Sequence, residues 1–109
     1  MELTDIPFGI TDWSEIASTR HDGDTGVAIW RPRYFGPLRV RMVEYSANYA
    51  ADHWCEKGHI VLCLDGSLRT ELADGRVYEL ARGMSYQVAD GEEPHRSSSS
   101  TGATLFIVD

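Results

Sequence analysis

Asp-Gly pairs and single glycines divide the second half of the chain into short segments. Asp65-Gly66, Asp74-Gly75 and Asp90-Gly91 each fall between runs of apolar or alternating residues. An Asp-Gly pair between two such runs is the strongest short-range signal of a β-hairpin. We therefore expect an all-β sandwich or barrel of antiparallel strands, with little helix. The runs cover residues 59–64, 67–72, 77–80, 85–88 and 104–108.

The first half of the chain carries weaker signals. Residues 27–31 and 38–45 alternate as strands do, and residues 12–16 have the composition of a single helical turn. At 109 residues without repeats or a long linker, the chain has the size of one domain.

Composition excludes several functional classes. A formal net charge of −7 argues against a nucleic-acid-binding surface, which has to be basic. No apolar run approaches the length of a membrane span. Two cysteines do not make a disulfide framework, and the acidic, polar start of the sequence does not resemble a signal peptide. These features together predict a cytoplasmic protein that binds neither nucleic acid nor membrane.

Side chains that bind metals are concentrated in one segment. His53, Cys55 and His59 form an H-x-C-x3-H pattern, and His95 follows at a distance in Glu93-Pro94-His95. Imidazole and thiolate groups bind zinc, iron, nickel and copper. The pattern predicts a site for one divalent transition metal.

Strand geometry brings the first three of these residues together. His53 and Cys55 are two apart, so they face the same side of a strand. If residues 56–58 form a three-residue hairpin loop, Cys55 lies directly opposite His59, with Cβ atoms about 5 Å apart. The three side chains would then converge on one face of a single hairpin.

The strand that starts at His59 is apolar on both faces. A hairpin turn at Asp65-Gly66 would place one apolar set on the face of His59 and leave Ile60, Leu62 and Leu64 on the other. A strand that is apolar on both faces is buried on both. The outer face therefore needs a cover, either the N-terminal segment or a second subunit, and we expect a homodimer. The set predicted to share the face of His59 is Val61, Cys63, Leu68, Thr70 and Leu72.

Four arginines between positions 31 and 41 form a local basic segment. Arg39 and Arg41 would share one face of a strand. Two interpretations remain open. The arginines could form a solvated strand face paired with surface acids, or one of them could recognise an anion near the pocket.

The metal-binding segment resembles the first motif of the cupin superfamily. That motif has two histidines one residue apart, then three or four residues, a glutamate, six residues and a glycine. Here the corresponding positions are His53, Cys55, His59 and Gly66. Cys55 replaces the second histidine and His59 replaces the glutamate, and each replacement is itself a good metal ligand.

The region from Gly83 to His95 resembles the second cupin motif, which has a glycine, about five residues, a Pro-x-Gly turn and a histidine. Here Ala89-Asp90-Gly91 stands for the turn, and His95 follows one residue later than usual. Within the cupins, the run Asp52 to Cys55 and this second region are similar to a small group of single-domain proteins with an Asp-His-Cys-Trp motif.

The resemblance implies an architecture for the whole chain. It implies one cupin domain over residues 1–109, an antiparallel double-stranded β-helix, also called a jelly-roll barrel. Residues 1–37 would supply a covering segment and the first strands, and residues 38–109 the barrel core.

The resemblance also implies a site, although two chemistries stay open. A closed site of three histidines and Cys55 would suit zinc and a non-catalytic module that binds or senses a metal or a small ligand. Three histidines without the thiolate would suit iron or nickel in an open site, as in a dioxygenase- or isomerase-like cupin acting on a small, anionic organic molecule. The implied metal ligands are His53, Cys55, His59 and His95, and the implied pocket residues are Arg41, Thr70, Tyr86 and Gln87.

Overall fold

The computed structural model describes residues 3–109 and shows an antiparallel all-β fold. A short 3-10 helix is followed by nine strands over this range. Within residues 3–109, no helix is long and apolar enough to cross a membrane. The elements are the helix Trp13–Glu15, β1 Thr19–Asp22, β2 Val27–Phe35, β3 Leu38–Tyr45, β4 Tyr49–Ala50, β5 His59–Leu72, β6 Val77–Ala81, β7 Ser85–Val88, β8 His95–Ser99 and β9 Ala103–Val108.

The strands form a curled sheet centred on β5. The sheet order is β1-β2-β3-β9-β5-β8-β4, and β6 and β7 also pair with β5. The first half of β5 pairs with β7 and β9, whereas the second half pairs with β6 and β8. One strand thus belongs to both walls of the barrel. The all-β, jelly-roll architecture expected from the sequence is confirmed.

The hairpin turn expected at Asp65-Gly66 is wrong. β5 continues through this pair, and its pairing with β9 shifts register between Cys63 and Asp65, which marks a β-bulge. Gly66 has a φ of +74° and pairs with Ala103, so β9 stays alongside the bend. The glycine therefore bends the strand from one wall of the barrel into the other, because both halves of β5 have partners without a chain reversal.

The inward face of β5 is the one that the sequence predicted. The bulge inserts one extra residue, so the inward positions are odd-numbered before it and even-numbered after it. Leu72 at the end of the strand is half-buried, whereas the other members of the set are buried. The buried members are His59, Val61, Cys63, Leu68 and Thr70.

Two apolar side chains on the opposite face of β5 are exposed when only residues 3–109 of a single chain are considered. Ile60 is 49% exposed and Leu64 is 37% exposed. The N-terminal segment instead lies along the outer face of β3 and β9, where Leu3 and Phe8 line a cleft with Phe106. The cover for Ile60 and Leu64, and with it the homodimer, stays a prediction. The predicted division of the domain into residues 1–37 and 38–109 also stays a prediction. Met1 and Glu2, which belong to the first of these parts, lie outside the described residues.

Two of the four arginines anchor the N-terminal segment to the barrel. Arg31 donates a hydrogen bond from Nη1 to the carbonyl oxygen of Ile16 at 2.7 Å, and Arg33 donates one to the hydroxyl of Thr11. The ring of Trp13 meets that of Phe106 edge-on, with centroids 6.1 Å apart. Arg31 and Arg33 are therefore structural, which leaves Arg39 and Arg41 for the barrel interior.

The bend at Gly66 can be tested by adding a methyl group. A Cβ at this position would lie 2.1 Å from the carbonyl oxygen of Gly102, in a backbone conformation that side chains disfavour. We expect Gly66→Ala to lower the free energy of unfolding by about 3 kcal/mol or more in urea denaturation. Gly36 also has a positive φ, but no atom of residues 3–109 lies within 4 Å of its Cβ position, so Gly36→Ala should cost only about 1 kcal/mol. Equal losses in the two variants would contradict the close approach to Gly102.

Candidate metal centre

Three side chains converge at one mouth of the barrel. The Sγ of Cys55 and the ring nitrogens of His59 and His95 all lie within 4.8 Å of one another. The Sγ is 3.5 Å from Nε2 of His59, and that nitrogen is 2.9 Å from Nε2 of His95. Both imidazoles are largely buried, whereas Cys55 is partly exposed.

The backbone brings Cys55 to the site by a route that differs from the one expected. The expected hairpin through residues 56–58 is wrong: Cys55 does not pair with His59 but forms an isolated bridge with His95. The amide of Cys55 donates to the carbonyl of His95 at 2.7 Å, and the amide of His95 donates to the carbonyl of Cys55 at 3.0 Å. The first and last residues of the three that converge, Cys55 and His95, are thereby held together.

The loop that would have formed this hairpin is held by another turn. The amide of Gly58 donates to the carboxylate of Asp90 at 2.6 Å, and the amide of Gly91 donates to the carbonyl of Glu56 at 2.8 Å. A Cβ on Gly58 would lie 2.6 Å from the amide nitrogen of Asp90, so only glycine permits this contact. Tertiary hydrogen bonds to the Ala89-Asp90-Gly91 turn thus replace the local pairing predicted for this segment.

Hydrogen bonds made by Nδ1 of His59 and of His95, on the side away from the cluster, determine which ring nitrogen carries the proton. The Nδ1 of His59 lies 3.0 Å from a carboxylate oxygen of Asp109, and the Nδ1 of His95 lies 2.8 Å from the carbonyl oxygen of Glu93. A carboxylate and a carbonyl only accept hydrogen bonds, so each Nδ1 carries its proton. In the neutral rings both Nε2 atoms therefore present lone pairs to each other across 2.9 Å.

Two facing lone pairs at this distance repel unless a cation lies between them. A shared proton would serve, and so would a metal ion, which needs this tautomer. Four-coordinate zinc, with Zn–N near 2.0–2.1 Å and Zn–S near 2.3 Å, places two nitrogens about 3.3 Å apart and a nitrogen and a sulfur about 3.6 Å apart. The observed separations of 2.9 Å and 3.5 Å are close to these values. The residues present therefore fit a metal ion.

The electrostatics of the site favour an ionised thiol. In the metal-free site, a ring whose Nε2 carries a proton donates to the sulfur, and these hydrogen bonds, from His59 and then from His95, lower the pKa of Cys55 to about 5, although partial burial opposes the shift. Burial by itself would lower the pKa of His59, but its hydrogen bonds to Asp109 and Cys55 outweigh that effect and raise it. The pKa of Cys63 is raised by burial, which agrees with its place in the core.

Asp109 connects the histidine to two arginines. Arg39 contacts both of its carboxylate oxygens, at 2.9 Å and 3.0 Å, and Arg41 contacts one at 3.3 Å. Burial would raise the pKa of Asp109, but the hydrogen bonds from His59 and Arg39 hold it well below its usual range. An ionised carboxylate on Nδ1 fixes the orientation of the imidazole and makes Nε2 a stronger ligand.

His53 lies at the mouth of the same cavity but outside the three-residue cluster. Its side chain is 75% exposed, and Nδ1 is 2.6 Å from the carboxylate of Asp52. The structure thus brings together three of the four ligands suggested by the sequence and leaves His53 at the rim. Its role as a ligand stays a prediction.

The predicted pocket residues divide between two cavities. Arg41 and Tyr86 line the cavity that contains the candidate ligands Cys55, His59 and His95, which has a volume of about 270 Å³. Thr70 and Gln87 line a neighbouring cavity of about 220 Å³ on the other side of Tyr86. Tyr86 is half-buried and faces the interior, whereas its neighbour Gln87 is exposed.

The sequence argument missed several residues of the site. Asp109 follows Leu105 and Ile107 at the two-residue spacing of the inward face of β9, so strand parity could have identified it. The same spacing from buried Ala28 and Val43 leads to Trp30 and Tyr45, which both line the cavity. Tyr49 also lines it, although its two-residue strand gives no sequence pattern.

Ionisation of Cys55 is open to direct measurement. In metal-free protein, thiolate absorbance near 240 nm should rise with a midpoint near pH 5, because His59 and His95 stabilise the anion. Cys55→Ser should lack this step, since Cys63 is buried and its pKa is raised. His59→Ala should move the midpoint to higher pH. A midpoint near the ordinary thiol value of 9.0 in the unaltered protein would contradict the arrangement.

Comparison with known proteins identifies the fold. No protein-family model matches the sequence, and no curated protein matches it either. Many solved structures are similar. The polyketide cyclase RemF from Streptomyces resistomycificus matches with a TM-score of 0.75 and 21% identity, over 94% of this chain and 78% of that one.

Two further structures support the same architecture. An RmlC-like cupin from Shewanella frigidimarina matches with a TM-score of 0.71 and 14% identity, over 96% of this chain and 92% of its own. HppE, crystallised with Fe(II), matches with a TM-score of 0.77 and 16% identity, over 99% of this chain and 62% of that one. At these identities the likeness concerns the fold, and together with the jelly-roll topology it shows that this chain is a cupin-fold protein.

Proposed function

We propose that this protein is a small metal-binding cupin that holds one divalent transition metal at Cys55, His59 and His95. A small organic molecule would bind in the cavity beside the metal. One observation carries the proposal: two buried imidazoles have their Nδ1 protons committed elsewhere and direct their Nε2 lone pairs at each other, beside the Sγ of Cys55.

Zinc is the metal that this donor set favours. A thiolate and two imidazoles suit zinc better than magnesium or manganese, which prefer oxygen ligands. Iron and nickel are the alternatives, and one protein of the same fold, HppE, was crystallised with Fe(II). When bound with an open position, such a metal supplies Lewis acidity to a carbonyl group or to water.

Three protein ligands favour an open site. Metal centres that act on substrates typically have three protein ligands and leave one position free. Here Cys55, His59 and His95 face a cavity lined by Tyr86 and Arg41, where a small molecule would reach the free position. The residues fit a metal-dependent enzyme of the dioxygenase or isomerase type.

A closed site with His53 as the fourth ligand is the second candidate. Nδ1 of His53 lies 2.6 Å from the carboxylate of Asp52, which is the outer contact expected of a histidine that binds a metal through Nε2. Inward rotation of His53 would complete a set of three histidines and one cysteine. The protein would then store or sense a metal rather than catalyse a reaction.

Metal analysis of the unaltered protein, three site variants and one control variant separates these candidates. We expect about one equivalent of zinc in unaltered protein purified without a His-tag. Cys55→Ser and His95→Ala should each weaken zinc binding by at least about 10-fold, because each removes a ligand. His53→Ala should retain full zinc affinity if the site is open and lose about 10-fold or more if it is closed.

Competition with a chromophoric chelator gives these affinities, and circular dichroism confirms that each variant is folded. His21→Ala serves as the control, because His21 stacks on Trp30 and lies outside the cluster of ligands. Unchanged zinc affinity in both Cys55→Ser and His95→Ala would overturn the proposed centre. Iron or nickel in place of zinc would keep the centre and change its metal.

We also propose that the protein is a homodimer in the cytoplasm. Ile60 and Leu64 lie exposed on the outer face of β5, and none of the described residues of the single chain covers them. Sedimentation equilibrium should give twice the mass of 12.2 kDa. Ile60→Glu should shift the protein towards monomer, because it places a charge in the apolar contact. A monomer in the unaltered protein would contradict the dimer.

A further inference from the structure

Two arginines beside the metal cavity share a single carboxylate, so the positive charge of this pair exceeds the negative charge that it contacts. Arg39 and Arg41 both contact the carboxylate of Asp109, but Arg39 occupies both of its oxygens while Arg41 makes one longer contact of 3.3 Å. Two guanidinium groups thus share one negative charge. This excess is local, because the whole chain has a net charge of −7.

Arg41 also has unused hydrogen-bonding capacity inside the protein. The residue is 6% exposed, and its Nε has no hydrogen-bond partner among the described residues. A buried N–H that gives up water without gaining a partner is unfavourable, and the penalty is larger on a charged group. A donor of this kind on the wall of a cavity indicates a ligand with an acceptor for it.

Aromatic stacking holds the guanidinium in place. Arg41 lies over the ring of Trp30, 4.2 Å from its centroid, and the imidazole of His21 stacks on Trp30 with centroids 3.7 Å apart. The stack restricts Arg41, so less freedom is lost when a ligand binds. The remaining wall is also aromatic and consists of Tyr45, Tyr49 and Tyr86.

Arg41 and the metal ligands are close neighbours. The Nη2 of Arg41 and the Nδ1 of His59 contact the same oxygen of Asp109, at 3.3 Å and 3.0 Å. A small molecule that contacts Arg41 would therefore extend towards the face where Nε2 of His59 meets Cys55 and His95. The cavity volume of about 270 Å³ accommodates a molecule of roughly ten heavy atoms.

We propose that the cavity binds a small organic carboxylate with a flat, apolar body, whose carboxylate pairs with Arg41. The body would lie among the aromatic side chains, and the far end would face Cys55, His59 and His95. Only the role of that far end rests on the proposed metal function. The carboxylate subsite itself depends on Arg41 and the cavity wall.

A carboxylate fits these groups better than a phosphate does. Arg41 offers a planar edge of N–H donors, which matches the two oxygens of a planar carboxylate. One unbalanced guanidinium matches a single negative charge, whereas a phosphate dianion would need further cations. Lys57 and Arg96 lie at the rim, but Arg96 already pairs with Glu71 at 3.3 Å.

Binding of benzoate, benzamide and inorganic phosphate by calorimetry tests the proposal. Benzamide has the shape of benzoate without its charge. The unaltered protein should bind benzoate at least about 10-fold more tightly than either of the other probes. Arg41→Met should lose at least about 10-fold in benzoate affinity and little in benzamide affinity, because only the charged contact is removed. Arg96→Met, which removes one positive charge at the rim of the same cavity, should change benzoate affinity less than threefold.

Several outcomes would overturn the carboxylate subsite. These are no saturable binding of benzoate, equal affinity for benzoate and benzamide, tighter binding of phosphate, or equal losses in Arg41→Met and Arg96→Met. If Arg41→Met does not fold, Arg41→Lys replaces it. That variant keeps the charge but loses the planar edge of donors, so it should also weaken benzoate binding.

The same titrations run with and without zinc separate this proposal from the proposed function. Benzoate binding by metal-free protein that also fails to take up zinc would support the carboxylate subsite and contradict the metal centre. Zinc uptake without benzoate binding would give the opposite result. Asp109 is left unaltered in both arms, because it contacts Arg41 and His59 together.

Discussion

The barrel depends on a single strand that changes partners along its length. β5 pairs with four other strands, two on each side of the bend at Gly66. The bend requires a positive φ and a close approach to Gly102, and only glycine meets both conditions at low cost. The strand starts at His59 and carries Val61, Cys63 and Leu68 into the core, so the packing of the interior and the position of the site have the same origin.

The site depends in turn on acceptors outside the three ligands. Asp109 and the carbonyl of Glu93 hold the Nδ1 protons of His59 and His95. This leaves the two Nε2 atoms free and close together, an arrangement that a cation stabilises. Cys55 reaches them because its backbone pairs with that of His95, so the two sequence regions meet through main-chain hydrogen bonds rather than through the side chains alone.

Strand parity and turn chemistry predicted much of this from the sequence. They identified β2, β3, β6, β7 and β9 and the inward face of β5, because a period of two residues survives in the fold. Cys55 does meet His59, but through backbone pairing with His95 and not through the expected hairpin. They failed where tertiary pairing overrode local preference. Asp65-Gly66 has the composition of a hairpin turn but forms a bulge because β9 lies alongside, and residues 56–58 are held by the turn at Asp90. His53 shares the spacing of a ligand, yet its side chain turns to Asp52 at the surface.

Asp109 has a consequence beyond the orientation of one ring. Its buried carboxylate accepts from His59 on the metal side and from Arg41 on the side proposed for the carboxylate. An anion bound to Arg41 would weaken the contact of Arg41 with Asp109 and leave that carboxylate more fully to His59, and a metal on His59 would change the electrostatic field at Arg41. If the proposed metal and carboxylate both bind, these shared contacts link the two halves of the cavity thermodynamically, and each occupant would alter the affinity for the other by the same factor.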